Sequence, residues 1–296
     1  LGFILIGGLL FWLSLNQEFV PTLEGNYSLF KVPSLISGLW VYFVVLLVSF
    51  LSAYVVHLFN KKHRFVEGNS IPFILFTSIG LSASIVSSIS VLDSFALLLS
   101  LLSLSLILKI HNQNSILGLL FSSSLLLGVA TILFYPSVFL FGILFLTIAF
   151  FRPFEIRDYV VILVGAGLAT FYFLSISFLL DLELLQFNSN IQLFVFSGAN
   201  LIPLGFFSLF ILVGVVKVFS NRSKFIVRQR NQFVIIGTFT IIQFTLFLLF
   251  NEAVFWISIV PILTIYLTYF YKSSNRKWIL DIVSLLFIVL LIWLKF

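Results

Sequence analysis

The residues able to do chemistry in this chain are few: ten acids, three histidines and no cysteine among 296 residues. Three acids are the candidates for a reaction. Glu18 and Glu24 stand in NQEFVPTLEGNYS, directly after a first apolar run, and Asp93 stands in the outer turn expected between two later runs. Carboxylates at the lip of an apolar bundle can act as a general base, or hold a divalent cation beside a phosphate. Solvated loop residues have the same spacing, so both roles stay open.

The other reactive types offer less. His57, His63 and His111 are scattered, without the HxxH or HExxH spacing that brings two imidazoles to one metal. They read as interfacial side chains, and neither a metal nor a cofactor is expected. Without cysteine there is no thiolate nucleophile, thiolate metal site or disulfide. LVGAG around Gly165 and Gly167, like Gly198, supplies small residues for helix packing rather than a phosphate loop.

What must position these residues is apolar almost throughout. The chain is 61% hydrophobic, 18% aromatic and only 9% charged, with 39 Phe and a mean hydropathy of +1.23. Soluble domains sit nearer ~45–50% apolar and ~25% charged. Runs of about 20 apolar residues, the length that crosses a ~30 Å hydrocarbon core as a helix, recur to the end. The expectation is an all-α, polytopic transmembrane helical bundle of about 11 spans, a single integral membrane domain over 1–296 with no soluble domain. The net charge of +6 then belongs to loops that fix orientation and meet anionic lipid, not to nucleic acid. With Leu first and no Met in the chain, residues 1–15 read as a truncated first span rather than a signal peptide.

Breaking the chain at polar islands places spans near 1–15, 38–59, 70–90, 94–109, 115–134, 137–151, 159–180, 199–219, 232–250, 254–271 and 278–295. The stretch 115–151 can also form a tight hairpin turning at Tyr135-Pro136. If NKKHR at 60–64 faces inward, alternation puts every Lys and Arg except Lys31 and Lys295 on that side. That is the asymmetry the positive-inside rule requires. It predicts cytoplasmic loops at 60–69, 152–158 and 217–232 in a bacterial inner membrane, with 16–30 and 181–190 outside. The island RPFEIRD, four charges in seven residues, becomes a topogenic turn. There Pro153 ends one span and Glu155, Arg157 and Asp158 pair locally at the surface. The basic loop KVFSNRSKFIVRQRNQ can contact anionic head groups through Arg222, Lys224, Arg228 and Arg230.

The spans are nearly clean of ionisable groups, apart from Asp281 near Lys277 and His57 near an inner end. That argues against a proton- or sodium-coupled transporter, and no paired broken helices suggest one. The Ser-rich stretch SIGLSASIVSSISVLDSFALLLSLLSLSLIL suits small-residue packing, or the polar lining of a path.

Two resemblances follow. KKHRFVEGNSIPFILF and LGVATILFYPSVFLFGILFLTIAFFRPFEIRDYVVILVGAGLATFYF resemble an uncharacterised multi-pass inner-membrane family of Bacteroidota. Its members carry a small-residue helix, a Tyr-Pro step and then Arg-Pro-Phe-x-x-Arg-(Asp/Glu)-Tyr. This likeness covers roughly residues 55–180 and implies no activity. In layout the chain also resembles GT-C-type glycosyltransferases, which use polyprenyl-phosphate sugars. They begin with one span and an external loop bearing a catalytic acid, often with a second acid in the next external loop. That resemblance would make Glu18 or Glu24 the first acid and Asp93 the second. It departs in having Glu where those enzymes usually have Asp, and in a shorter chain. Three function classes remain: a non-catalytic or accessory subunit with other membrane proteins as partners, a GT-C-like transferase at the periplasmic face, and a transporter of lipid or apolar solute.

Overall fold

Apolar sequence with few prolines has one economical way to satisfy its backbone, and the described residues take it: they are helical apart from short joints. The computed structural model describes residues 39–63, 90–110, 116–151, 155–180, 216, 220 and 227–250. Within these lie α1 (Leu39–His63), α2 (Val91–Ile110), α3 (Leu117–Leu133), a 3₁₀ helix (Tyr135–Leu140), α4 (Phe141–Phe151), α5 (Ile156–Leu179) and α6 (Val227–Phe250). No strand occurs among them. Two of them, α2 and α5, are long and apolar enough to cross a membrane. At 20 residues α2 is about 30 Å long.

The chain breaks where Tyr135-Pro136 led one to expect. Phe134 turns extended (φ −146°, ψ 95°), and Pro136 sits in the first turn of the 3₁₀ helix, where its missing N–H costs nothing. The expected span at 137–151 is therefore two pieces, a 3₁₀ helix and an 11-residue α4. The expected spans near 1–15, 254–271 and 278–295 lie outside the described residues, as do nearly all of those near 70–90 and 199–219.

Four helices form a row: α1 packs on α2, α2 on α3, and α3 on α5. Their directions follow from individual contacts. Val45 of α1 meets Val91 at the start of α2, and Lys62 lies beside Lys109 at the other end, so α1 and α2 are parallel. Ser103 Oγ of α2 donates to the Ser123 carbonyl of α3 at 3.0 Å. These two residues are equally far from the joint at 111–115, so α2 and α3 are antiparallel. Alanine-sized probes of the α3–α5 contact give its register. A Cβ on Gly165 would collide with Ser124 Oγ and lie 2.9 Å from the Phe121 carbonyl, and one on Gly128 would lie 2.7 Å from Ala169 Cβ. The numbering rises together on both helices, so α3 and α5 are parallel and approach closely through small residues. That is the role expected of Gly165; Gly167, by contrast, faces open space. The 3₁₀ helix lies against α3, and both it and α4 touch α6.

The helices run further into polar sequence than the islands suggested. α1 takes in Asn60, Lys61 and Lys62, which were expected in a loop at 60–69. α2 begins at Val91 rather than 94, and α5 at Ile156 rather than 159. α6 begins at Val227, so Arg228 and Arg230 stand on a helix instead of in a loop ending at 232. Arg222 and Lys224 lie outside the described residues.

Candidate functional site

Of the three candidate acids, the structure places one. Asp93 is not in an exposed turn. It is the third residue of α2 and only 5% exposed. The reason is local: Ser90 precedes the helix, and its Oγ accepts the Asp93 backbone N–H at 3.1 Å. Ser90 also receives Ser94 N–H at 3.2 Å and Ser94 Oγ at 3.1 Å on its carbonyl oxygen. Ser-x-x-Asp is the sequence signature of such a capped start, and it stands in plain view as Ser90-Val-Leu-Asp93. A carboxylate in a first turn is stabilised by the helix dipole. The cap bond runs through the Asp93 backbone N–H, and the expectation of Asp93 in an open turn is corrected to a buried position in the first turn of a helix. Glu18 and Glu24 lie outside the described residues.

A second acid, Asp158, is buried in the same way. Asp158 was expected to pair with its neighbours on the surface of RPFEIRD; instead it is 3% exposed, in the first turn of α5. Glu155 is the N-cap in extended conformation, makes no side-chain cap bond, and accepts Asp158 N–H on its carbonyl at 3.1 Å. Glu155 and Arg157 are exposed. Asp158 shares one helical stripe with Ile162, Gly165 and Ala169, the residues buried against α3. The register carries it to the level of Leu117, at the start of α3, whose N-cap Ile116 offers no side-chain acceptor. Asp158 thus lies at the positive end of a neighbouring helix as well as its own. Sequence could supply the stripe but not the neighbour.

The two buried acids cannot act as a pair. Asp93 belongs to the end of the row where α2 begins, and Asp158 to the end where α2 finishes, about 30 Å away. Lys61, Lys62, Lys109 and Arg157 share the Asp158 end. Among the described residues no three His, Cys, Asp or Glu side chains gather to hold a metal ion. His57 is half-buried on α1, while His111 lies outside the described residues.

The buried serines of α2 and α3 spend their hydroxyls on backbone carbonyls. Ser94 and Ser100 turn back onto carbonyls four residues earlier, Ser123 and Ser124 onto carbonyls three residues earlier, and all four are buried. Ser103 reaches across to α3. No protein-family model, curated protein or solved structure matches the chain.

Proposed function

We propose that this chain is a multi-pass protein of a bacterial inner membrane and serves as a non-catalytic subunit of a membrane complex. The observation that carries the non-catalytic reading is the burial of Asp93. An acid that must deprotonate an acceptor has to come within about 2.6–3.2 Å of it, and this one is folded into a serine-capped helix start. The membrane part rests on composition, on two helices of crossing length, and on the large apolar side chains that α5 exposes, from Ile156 to Leu180. A face like that is a liability in water and ordinary in lipid. The end that gathers Lys61, Lys62, Lys109 and Arg157 is the cytoplasmic one under the positive-inside rule.

One tagged preparation from native membranes tests both parts. Solubilised in mild detergent, the chain should run with a second protein in fixed stoichiometry. A cysteine put in place of Lys61 should resist impermeant thiol reagents in intact cells; the chain has no thiol of its own to confuse the result. A chain that runs alone with polyprenyl phosphate bound would overturn the subunit reading in favour of a transferase. Labelling from outside would reverse the orientation.

A further inference from the structure

Lys62 and Lys109 belong to different helices, yet the parallel packing of α1 on α2 brings them side by side. Counting from the Val45–Val91 contact, Lys62 lies 17 residues along α1 and Lys109 18 along α2, within one residue of the same level. Among the described residues, the charge that Lys109 feels is that of Lys62. Two ammonium groups side by side repel each other, and an anion set between them would relieve that repulsion. The acids described at this end, Glu155 and Asp158, both belong to α5, which packs on α3, one helix removed from the α2 that carries Lys109.

The second observation is independent. Leu47, Leu51, Tyr54 and Leu58 are all exposed along α1, and their spacing makes them one continuous stripe. That stripe runs straight to Lys62, the next position on the same face. From Leu47 to Leu58 the stripe is about 16 Å long, close to half of a ~30 Å hydrocarbon core, the depth of one leaflet. Lysine stems are long enough to lie on apolar surface while the ammonium stays at the polar boundary.

We propose that Lys62 and Lys109 hold the phosphate of an anionic phospholipid whose acyl chain lies along Leu47, Leu51, Tyr54 and Leu58. A paired positive charge at the end of an apolar stripe one leaflet deep matches a lipid: charge at one end, hydrocarbon along the rest. A free phosphate would account for the lysines but not for the stripe. The site rests on the chain sitting in a bilayer and not on its being a subunit.

The test uses the full chain in nanodiscs of phosphatidylcholine containing a minor fraction of phosphatidylglycerol, with retained lipid read by native mass spectrometry. The wild type should keep phosphatidylglycerol in preference to phosphatidylcholine. Changing both lysines, Lys62→Gln with Lys109→Gln, should weaken that retention by about 30-fold, the weight of two basic residues at an anionic surface. Arg157→Gln, at the same end but off the pair, should leave it unchanged. Leu51→Asn should lower retention while both lysines remain. Equal loss with Arg157→Gln would reduce the effect to bulk charge and overturn the site. Retention undiminished in the double variant would overturn it too. Displacement by millimolar inorganic phosphate, with Leu51→Asn silent, would show a phosphate site instead of a lipid site. Failure of the wild type to remain in carbonate-washed membranes would strike the bilayer reading itself, and is measured separately.

Discussion

Helices α2 and α5 look alike as sequence. Each is long and apolar, carries several small residues, and has one Asp in its first turn. Their surroundings differ sharply: 61% of the apolar window of α2 is buried inside the protein, against 22% for α5. α2 lies between α1 and α3 and is covered on most sides, with Leu101, Leu104, Ile107 and Leu108 almost wholly enclosed. α5 is held along one narrow stripe of Asp158, Ile162, Gly165 and Ala169, and its Phe and Leu side chains point away. The difference teaches that hydrophobicity does not choose the inner helix. In the bilayer proposed above, hydrocarbon would be as apolar as leucine, so α5 could leave its large side chains outward while its small residues make the close approach to α3.

The sharpest way to break this comparison is to hollow out α2. Leu101→Ala should cost about 2–5 kcal/mol, because the enclosed site cannot collapse around the loss. Thermal or denaturant unfolding of the reconstituted chain measures it, and a cost below the cost of truncating an exposed α5 residue would refute the contrast. Next in size is Gly165→Ala. The added methyl meets Ser124 Oγ and the Phe121 carbonyl, so α5 must shift, at about 1–3 kcal/mol. Combining it with Ser124→Ala should recover only part of the loss, since the carbonyl remains, and a double-mutant cycle reads that coupling. Smallest is Phe178→Ala on the outer face of α5. At 83% exposed, its truncation should change stability by less than about 0.5 kcal/mol. A larger loss in native membranes than in detergent would mean that another protein covers this face.

Within the described residues the helical character was legible, and the departures share one cause. Among the described residues the apolar runs located the helices, and Tyr135-Pro136 located the break, because Pro136 and the extended Phe134 act locally. The helix ends lie about a turn beyond the apolar runs, because the charges that interrupt a run do not interrupt these helices. Asp93 and Asp158 in first turns, and Lys109 in a last turn, are where a helix dipole favours such charges. Ser90-x-x-Asp93 carried its own correction, since a capping pair announces a helix start. Asp158 carried none: its burial depends on α3 arriving alongside, a fact about the fold and not about RPFEIRD. The same limit applies to Lys62 and Lys109, whose meeting depends on two helices separated by 64–90 in the chain.

The two junctions of α3 also differ in when they can exist. Antiparallel α2 and α3 are consecutive, joined by residues 111–115, and can meet as soon as both are made. Parallel α3 and α5 cannot, because the chain must first return through the 3₁₀ helix and α4. Ser124 and Gly128 are therefore finished before their partners Gly165 and Ala169 have left the ribosome. For that interval α3 carries a slot shaped for a helix not yet synthesised, and the seam closes only when the last of its parts arrives.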